Sequence, residues 1–174
     1  MTTLTTARLT LRPPQDADTD ELVRGLGNFN VSRWTGRVPY PYGPADAQAF
    51  LSHCQTLPAD ALVLVILRQG EAIGVMGIEQ GELGYWLAEP HWGQGYGTEA
   101  ARAVTDHAFM ALGHTQLVAS YHQENEGSRR ILLGLGFRKT GESSAFSKAR
   151  GAEVPIMCLE LTQADWEAAK ERRR

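Results

Sequence analysis

Five residues near the middle of the chain, Gly93-Gln94-Gly95-Tyr96-Gly97, restrict the possible folds more than any other feature. Closely spaced glycines let the backbone turn sharply and come near a ligand, since no Cβ stands in the way. Directly after them, Ala101, Val104, Ala108 and Leu112 recur at helical spacing, which predicts a helix over 98–112 with Gly113 at its C-cap. A glycine turn that opens a helix aims free N–H groups at an anion, so a phosphate or pyrophosphate is the expected guest. Gly95-x-Gly97-x-x-Ala100 also satisfies a dinucleotide fingerprint, and some such turns bind nothing. A dinucleotide fold needs a second βαβ half, however, and the chain after Glu124 is too short to supply it.

The segments before the glycines read as a meander. Residues 61–67 form a continuous apolar run, Gln69-Gly70 is a turn, 72–78 is apolar again, and a turn at Gln80-Gly81 leads into a strand over 82–88. Earlier, Arg8-Leu9-Thr10-Leu11-Arg12 alternates like a half-buried strand and stops at two prolines. Asp16, Asp18, Asp20 and Glu21 open a short helix through Leu26, where negative charge suits the helix N-terminus. Residues 27–43, with Trp34, Tyr40 and Tyr42, show no period and read as a long ordered loop; Pro44 then opens a helix. Beyond the central helix come a strand over 117–122, a helix over 125–135 ended by Gly136, and two strands around Gly151 within 146–161. Strands and helices in this order predict one mixed α/β (α+β) domain spanning residues 1–174.

Composition narrows the partners. A net charge of -3 provides no basic field for nucleic acid or an anionic membrane, and the closing Arg172-Arg173-Arg174 is only a short tail. Cys54 and Cys158 make no metal or disulfide framework, and the histidines show no ligand spacing, so no metal is expected. The chain opens without a basic segment followed by a long apolar run, and no stretch reaches about 18 apolar residues, so the expected location is the cytoplasm.

A second constellation, Asn125-Glu126-Gly127-Ser128 followed by Leu135-Gly136-Phe137, joins the glycine segment to a known pattern. Together they resemble the GNAT superfamily of N-acetyltransferases. Trp92-Gly93-Gln94-Gly95-Tyr96-Gly97 matches its Arg/Gln-x-x-Gly-x-Gly/Ala motif except for Trp92 at the first position. That tryptophan, Arg8-Leu9-x-Leu11-Arg12 and Gly84-Tyr85-Trp86-Leu87 look like the branch that acetylates N-terminal residues of ribosomal proteins. The resemblance implies a mixed, mostly antiparallel sheet of six to seven strands flanked by helices, with parallel fourth and fifth strands that splay to admit the pantetheine arm of acetyl-CoA.

It also implies site residues. The backbone amides of Gln94, Gly95, Tyr96, Gly97 and Thr98 would hold the coenzyme pyrophosphate, Leu87 would pair with pantetheine amides, and Asn125 would contact the coenzyme. Asn125 is equally a favoured helix N-cap. Many family members use a tyrosine seven residues beyond the asparagine to protonate the departing thiolate; Leu132 stands there, so Ser128, water or another residue takes that role. Glu82 is the candidate base, with Glu79 and His122 as rivals. The acceptor implied is a primary amine, such as a peptide N-terminus or a small amine, and a homodimer is compatible with the family. An α-amine of pKa about 8 is roughly one-tenth free at pH 7, whereas a lysine is free to about one part in 2,500, so a weak base favours α-amines. A GNAT-like domain that binds acyl-CoA without catalysis is the alternative.

Overall fold

The computed structural model describes residues 2–172; Arg173 and Arg174 of the basic tail lie outside them. Eight strands form one sheet in the order β1-β2-β3-β4-β5-β6-β8-β7. The strands are β1 (Leu4–Thr5), β2 (Thr10–Arg12), β3 (Leu62–Arg68), β4 (Glu71–Glu79), β5 (Glu82–Leu87), β6 (Gln116–His122), β7 (Arg138–Ser147) and β8 (Ala152–Thr162). Helices are α1 (Thr19–Leu26), α2 (Phe29–Ser32), α3 (Pro44–Cys54), α4 (Tyr96–Met110), α5 (Glu126–Leu135) and α6 (Gln163–Glu171). Among the described residues no helix is long and apolar enough to cross a membrane.

The apolar run of β3 is continuous because both faces of the strand are covered. Leu62, Leu64 and Ile66 join the core under α4, α5 and α6, with Ala101, Val104, Leu132 and Trp166. Val63 and Val65 join the opposite core, with Leu22 and Leu26 of α1 and Ala47 and Leu51 of α3. A sheet between two helical layers leaves its middle strands no polar face.

All strand pairs are antiparallel except β5 with β6, which meet in parallel at a single registered pair, Glu82 with Val118. The Val118 amide donates to the Gly81 carbonyl at 2.9 Å at this point. Beyond it β5 remains paired with β4 to Leu87, and β6 remains paired with β8 to His122. Each strand therefore follows its antiparallel partner, and the sheet opens into a wedge between them.

Several elements depart from the sequence expectations. The sheet has eight strands rather than six or seven, because β1 is a two-residue addition at one edge. The loop over 27–43 contains the one-turn helix α2, whose N-cap Asn28 accepts from the Asn30 amide at 2.9 Å. Strand β7 begins at Arg138, well before residue 146, and is exposed over nearly its whole length, so it carries no apolar alternation. Helix α4 stops at Met110 with Ala111 as its C-cap, and Gly113 turns the chain just beyond at φ +77°. Helix α6 had no counterpart in the periodicity; Thr162 caps it, and Trp166 stacks on Phe109 with ring centres 5.1 Å apart.

Trp166 also donates from its indole N–H to Asp106 at 2.6 Å, tying α6 to α4. Truncation to alanine removes a buried ring and leaves a cavity between two helices. Trp166→Ala should lower the unfolding free energy by about 3 kcal/mol, read from a urea midpoint at unchanged slope. A loss below about 1 kcal/mol would mean that α6 contributes little to the core.

Candidate active site

The wedge between β5 and β6 opens into a cleft of about 520 Å³. Its walls include Leu83, Tyr85 and Leu87 from β5, Ser120 and Tyr121 from β6, Gly93 and Gly95 to Thr98 at the turn and helix start, and Asn125 to Ser128 at the start of α5. Two helix N-termini thus face one opening. At α4 the first intrahelical bond runs from the Glu99 amide to the Gly95 carbonyl, so the amides of Tyr96, Gly97 and Thr98 precede the ladder. Such amides, together with the helix dipole, favour an anion.

Backbone geometry explains the glycines of this turn. Gly95 is the N-cap of α4 with φ +83°, a left-handed conformation that a residue with a Cβ adopts only under strain. At Gly97 an added Cβ would come within 2.8 Å of Ile131 and 3.2 Å of Leu87. The turn is also clamped from outside. Arg8 donates from Nη1 to the Gln94 carbonyl at 3.0 Å and from Nε to Glu99 at 2.7 Å, and its guanidinium lies 4.5 Å from the centre of the Tyr96 ring. Arg12 of the same opening segment makes a two-pronged pair with the buried Asp18 at 2.7 and 2.8 Å. Asp18 thus serves structure, and its carboxylate also accepts from the Gln15 amide at 2.8 Å.

The sequence-derived site residues separate into two groups. Leu87, Gly95, Tyr96, Gly97, Thr98, Asn125 and Ser128 all line the cleft. Leu87 already accepts at its carbonyl from the indole N–H of Trp92 at 2.7 Å, so the tryptophan that breaks the family motif braces the strand end. Asn125 caps α5, accepting the Ser128 amide at 3.0 Å, which satisfies its structural role in full. Gln94 lies outside the cleft wall; its side-chain amide donates to the Pro90 carbonyl at 2.9 Å. Glu82 also lies outside that wall, at the closed end of the wedge, with its carboxylate 3.6 Å from Arg37. Glu79 is farther from the opening and pairs with His53.

Tyr85 is the residue that sequence reasoning left without a role. Its hydroxyl lies 2.7 Å from the Ser128 hydroxyl, joining β5 to α5 across the cleft. Burial pushes its pKa up to about 12, against a smaller opposing effect of the bond to Ser128. The pair is therefore neutral throughout the ordinary pH range and can supply a proton. Leu132, at the position where a tyrosine is frequent, is fully buried in the core.

The cleft is also lined by α2 and the chain after it, at Val31, Trp34 and Thr35, and by Glu124. His122, at the end of β6, is buried with its ring 6.1 Å from that of Trp34. Burial, reinforced by Arg150 and Arg33 and opposed by Glu124, holds its pKa below the ordinary value. Among the described residues no group of three or more His, Cys, Asp or Glu is arranged to hold a metal ion.

The family model for the acetyltransferase (GNAT) domain matches residues 8–138. The chain belongs to that family. It is 27% identical to an uncharacterized N-acetyltransferase, p20 of Bacillus licheniformis, over 95% of this chain and 99% of that protein. It is 30% identical to an uncharacterized N-acetyltransferase of Bacillus subtilis, YoaA, over 79% of this chain and 84% of that one. Among solved structures, RimJ of Mycobacterium smegmatis in complex with CoA-disulfide superposes with a TM-score of 0.82 at 24% identity, covering 97% of this chain and 92% of that one. The ribosomal-protein-S5-alanine acetyltransferase of Vibrio fischeri gives 0.79 at 20% identity, covering 95% and 99%. These two likenesses establish the fold.

His122 gives the site a pH signature. The folded protein disfavours its charged form, so the unfolded chain binds more protons as the pH falls through about 6.5. The stability that neutral His122 provides should be complete above that pH and be lost progressively below it. His122→Asn should flatten this part of the profile, measured as unfolding free energy between about pH 7.5 and 5. An unchanged profile in the variant would remove His122 as its source.

Proposed function

We propose that this chain transfers the acetyl group of acetyl-CoA to a primary amine, with a peptide N-terminal α-amine as acceptor, by direct attack in a ternary complex. The observation that carries this reading is the Tyr85–Ser128 hydroxyl pair, 2.7 Å apart, on the wall of the wedge. It offers a neutral proton donor where the family position for a tyrosine holds the buried Leu132.

In this reading the pyrophosphate sits against the amides of Tyr96, Gly97 and Thr98, with Gln94 and Gly95 shaping the turn. The pantetheine arm runs into the wedge beside Leu87 and past Asn125. The acceptor nitrogen attacks the thioester carbonyl, a C–N bond forms, and the C–S bond breaks. Ser128 gives its proton to the departing sulfur and regains one from Tyr85, which takes a proton back from solvent, while the nitrogen loses a proton to solvent. Holding both reactants in one cleft supplies most of the acceleration, and the hydroxyl pair handles the leaving group.

Glu82 is poorly placed to act as the base, since it lies outside the cleft beside Arg37. Its removal matters little if the acceptor is an α-amine, already about one-tenth free near neutrality. Glu82→Gln should therefore change kcat/KM by less than about threefold at pH 8.

Two variant sets test the proposal. Ser128→Ala should lower kcat by about 10²-fold or more with little change in coenzyme affinity, and adding Tyr85→Phe should cost little beyond that, because the two hydroxyls act as a unit. A kcat within about twofold of wild type would return Ser128 to an ordinary first-turn serine. For the coenzyme, acetyl-CoA at 100 times its Kd should stabilise the wild-type fold by about 2.7 kcal/mol, and Gly95→Val or Gly97→Val should abolish that gain. Equal ligand stabilisation in both glycine variants contradicts the pyrophosphate site. A peptide with a free N-terminus should outperform its N-blocked counterpart carrying a free lysine.

A further inference from the structure

Two guanidiniums gather behind the cleft wall, against Trp34, without lining the cleft themselves. Arg33 and Arg150 both lie over the Trp34 ring, at 4.7 and 5.0 Å from its centre, and Trp34 itself lines the cleft. The turn over 148–151, between β7 and β8, brings Arg150 there. That turn is pinned to the chain after α2: Arg150 Nε donates to the Arg33 carbonyl at 2.9 Å, the Ser147 hydroxyl to the Thr35 carbonyl at 3.1 Å, and the Lys148 amide to the Gly36 carbonyl at 3.0 Å. These bonds fix the wall but leave hydrogen-bonding groups on it unused. Arg33 Nε, Arg150 Nη2 and His122 Nδ1 are buried and hydrogen-bond to nothing among the described residues. The nearby carboxylate is Glu124, a strongly exposed cleft residue that reaches Arg150 Nη1 only at 3.8 Å. Two guanidiniums therefore face one loosely held carboxylate.

Resting on the transferase reading, we infer that the acceptor carries an anionic group, a carboxylate or a phosphate, beside its amine, and that Arg33 and Arg150 recognise it across Trp34. Arginine suits such recognition, because its planar fork matches both oxyanions and can stack on an aromatic ring at the same time. The incoming anion takes the place of the exposed Glu124 carboxylate against Arg150. The same field disfavours an ammonium ion on this wall, as it adds to the burial that lowers the pKa of His122. It helps an acceptor arrive as the free amine without a strong base, and it rejects polyamines and basic peptides.

Initial rates of thiol release at saturating acetyl-CoA test the inference with matched acceptors. One series consists of tetrapeptides with free N-termini that carry Asp, Asn or Lys after an N-terminal Ala; the other compares O-phosphoethanolamine with ethanolamine. Wild type should favour the anionic member of at least one series by about tenfold or more in kcat/KM, and the series that responds identifies the source of the anion. The preference should shrink with added salt and fall to within about threefold in Arg150→Gln and in Arg33→Gln. Arg150→Lys, which keeps the charge but loses the fork, should retain part of it. Retention of the acetyl-CoA thermal shift in each variant establishes that it is folded. Equal use of anionic and neutral acceptors in both series, or a preference that survives both Gln variants, overturns the inference and leaves the transferase reading standing. Absence of transfer to every acceptor overturns both.

Discussion

The site depends on the parting of β5 from β6. Parallel pairing between them lasts for one registered residue pair, Glu82 with Val118, because each strand is held along its length by an antiparallel neighbour. Antiparallel ladders are somewhat more stable per residue than parallel ones, so twist and divergence accumulate at the weaker seam. The opening exposes strand backbone at a depth where a sheet would otherwise be closed. It also lets side chains from β5, such as Tyr85, reach a helix start that is distant in sequence. Both helices that border the opening point their N-termini at it, so the geometry of the seam and the electrostatics of the cleft reinforce each other.

Around that seam the two walls have opposite characters. On one side the polar groups are satisfied and neutral: the Ser128 amide on Asn125, the Ser128 hydroxyl on Tyr85, and the glycine turn clamped by Arg8. On the other, cationic groups are buried against Trp34 with hydrogen-bonding capacity to spare. A phosphate-bearing coenzyme with a reactive thioester suits the first wall, where backbone amides meet the phosphates and a neutral donor awaits the sulfur. In the proposed reaction the acceptor approaches from the second.

The features readable in the sequence are those with local causes. The glycine turn, the periodic stripe of α4 and the meander of β3, β4 and β5 each follow from conformational freedom or apolar spacing within a short window. Asn125 was legible both as a cap and as a cleft residue for the same reason. The Tyr85–Ser128 contact spans 43 positions, and the Arg150 bond to the Arg33 carbonyl spans 117; no short-range pattern encodes either. Glu82 illustrates the limit within one strand, since placing it on β5 leaves open which end of the wedge it occupies. Strand β7 lacked the apolar alternation that marks a strand, because it is an exposed edge held by β8 on one side alone. The GNAT resemblance supplied what local reasoning could not, namely that the seam between the family's fourth and fifth strands, here β5 and β6, opens.

If the wedge receives the coenzyme arm and delivers its sulfur to the hydroxyl pair, a crystal structure with coenzyme A bound shows it most directly. Pyrophosphate oxygens should then lie within about 3.2 Å of the Gly97 and Thr98 amides, and the sulfur within about 4 Å of the Ser128 hydroxyl, with the arm between β5 and β6. A coenzyme bound outside the wedge, or one whose sulfur lies beyond about 6 Å from both Ser128 and Tyr85, would contradict this arrangement.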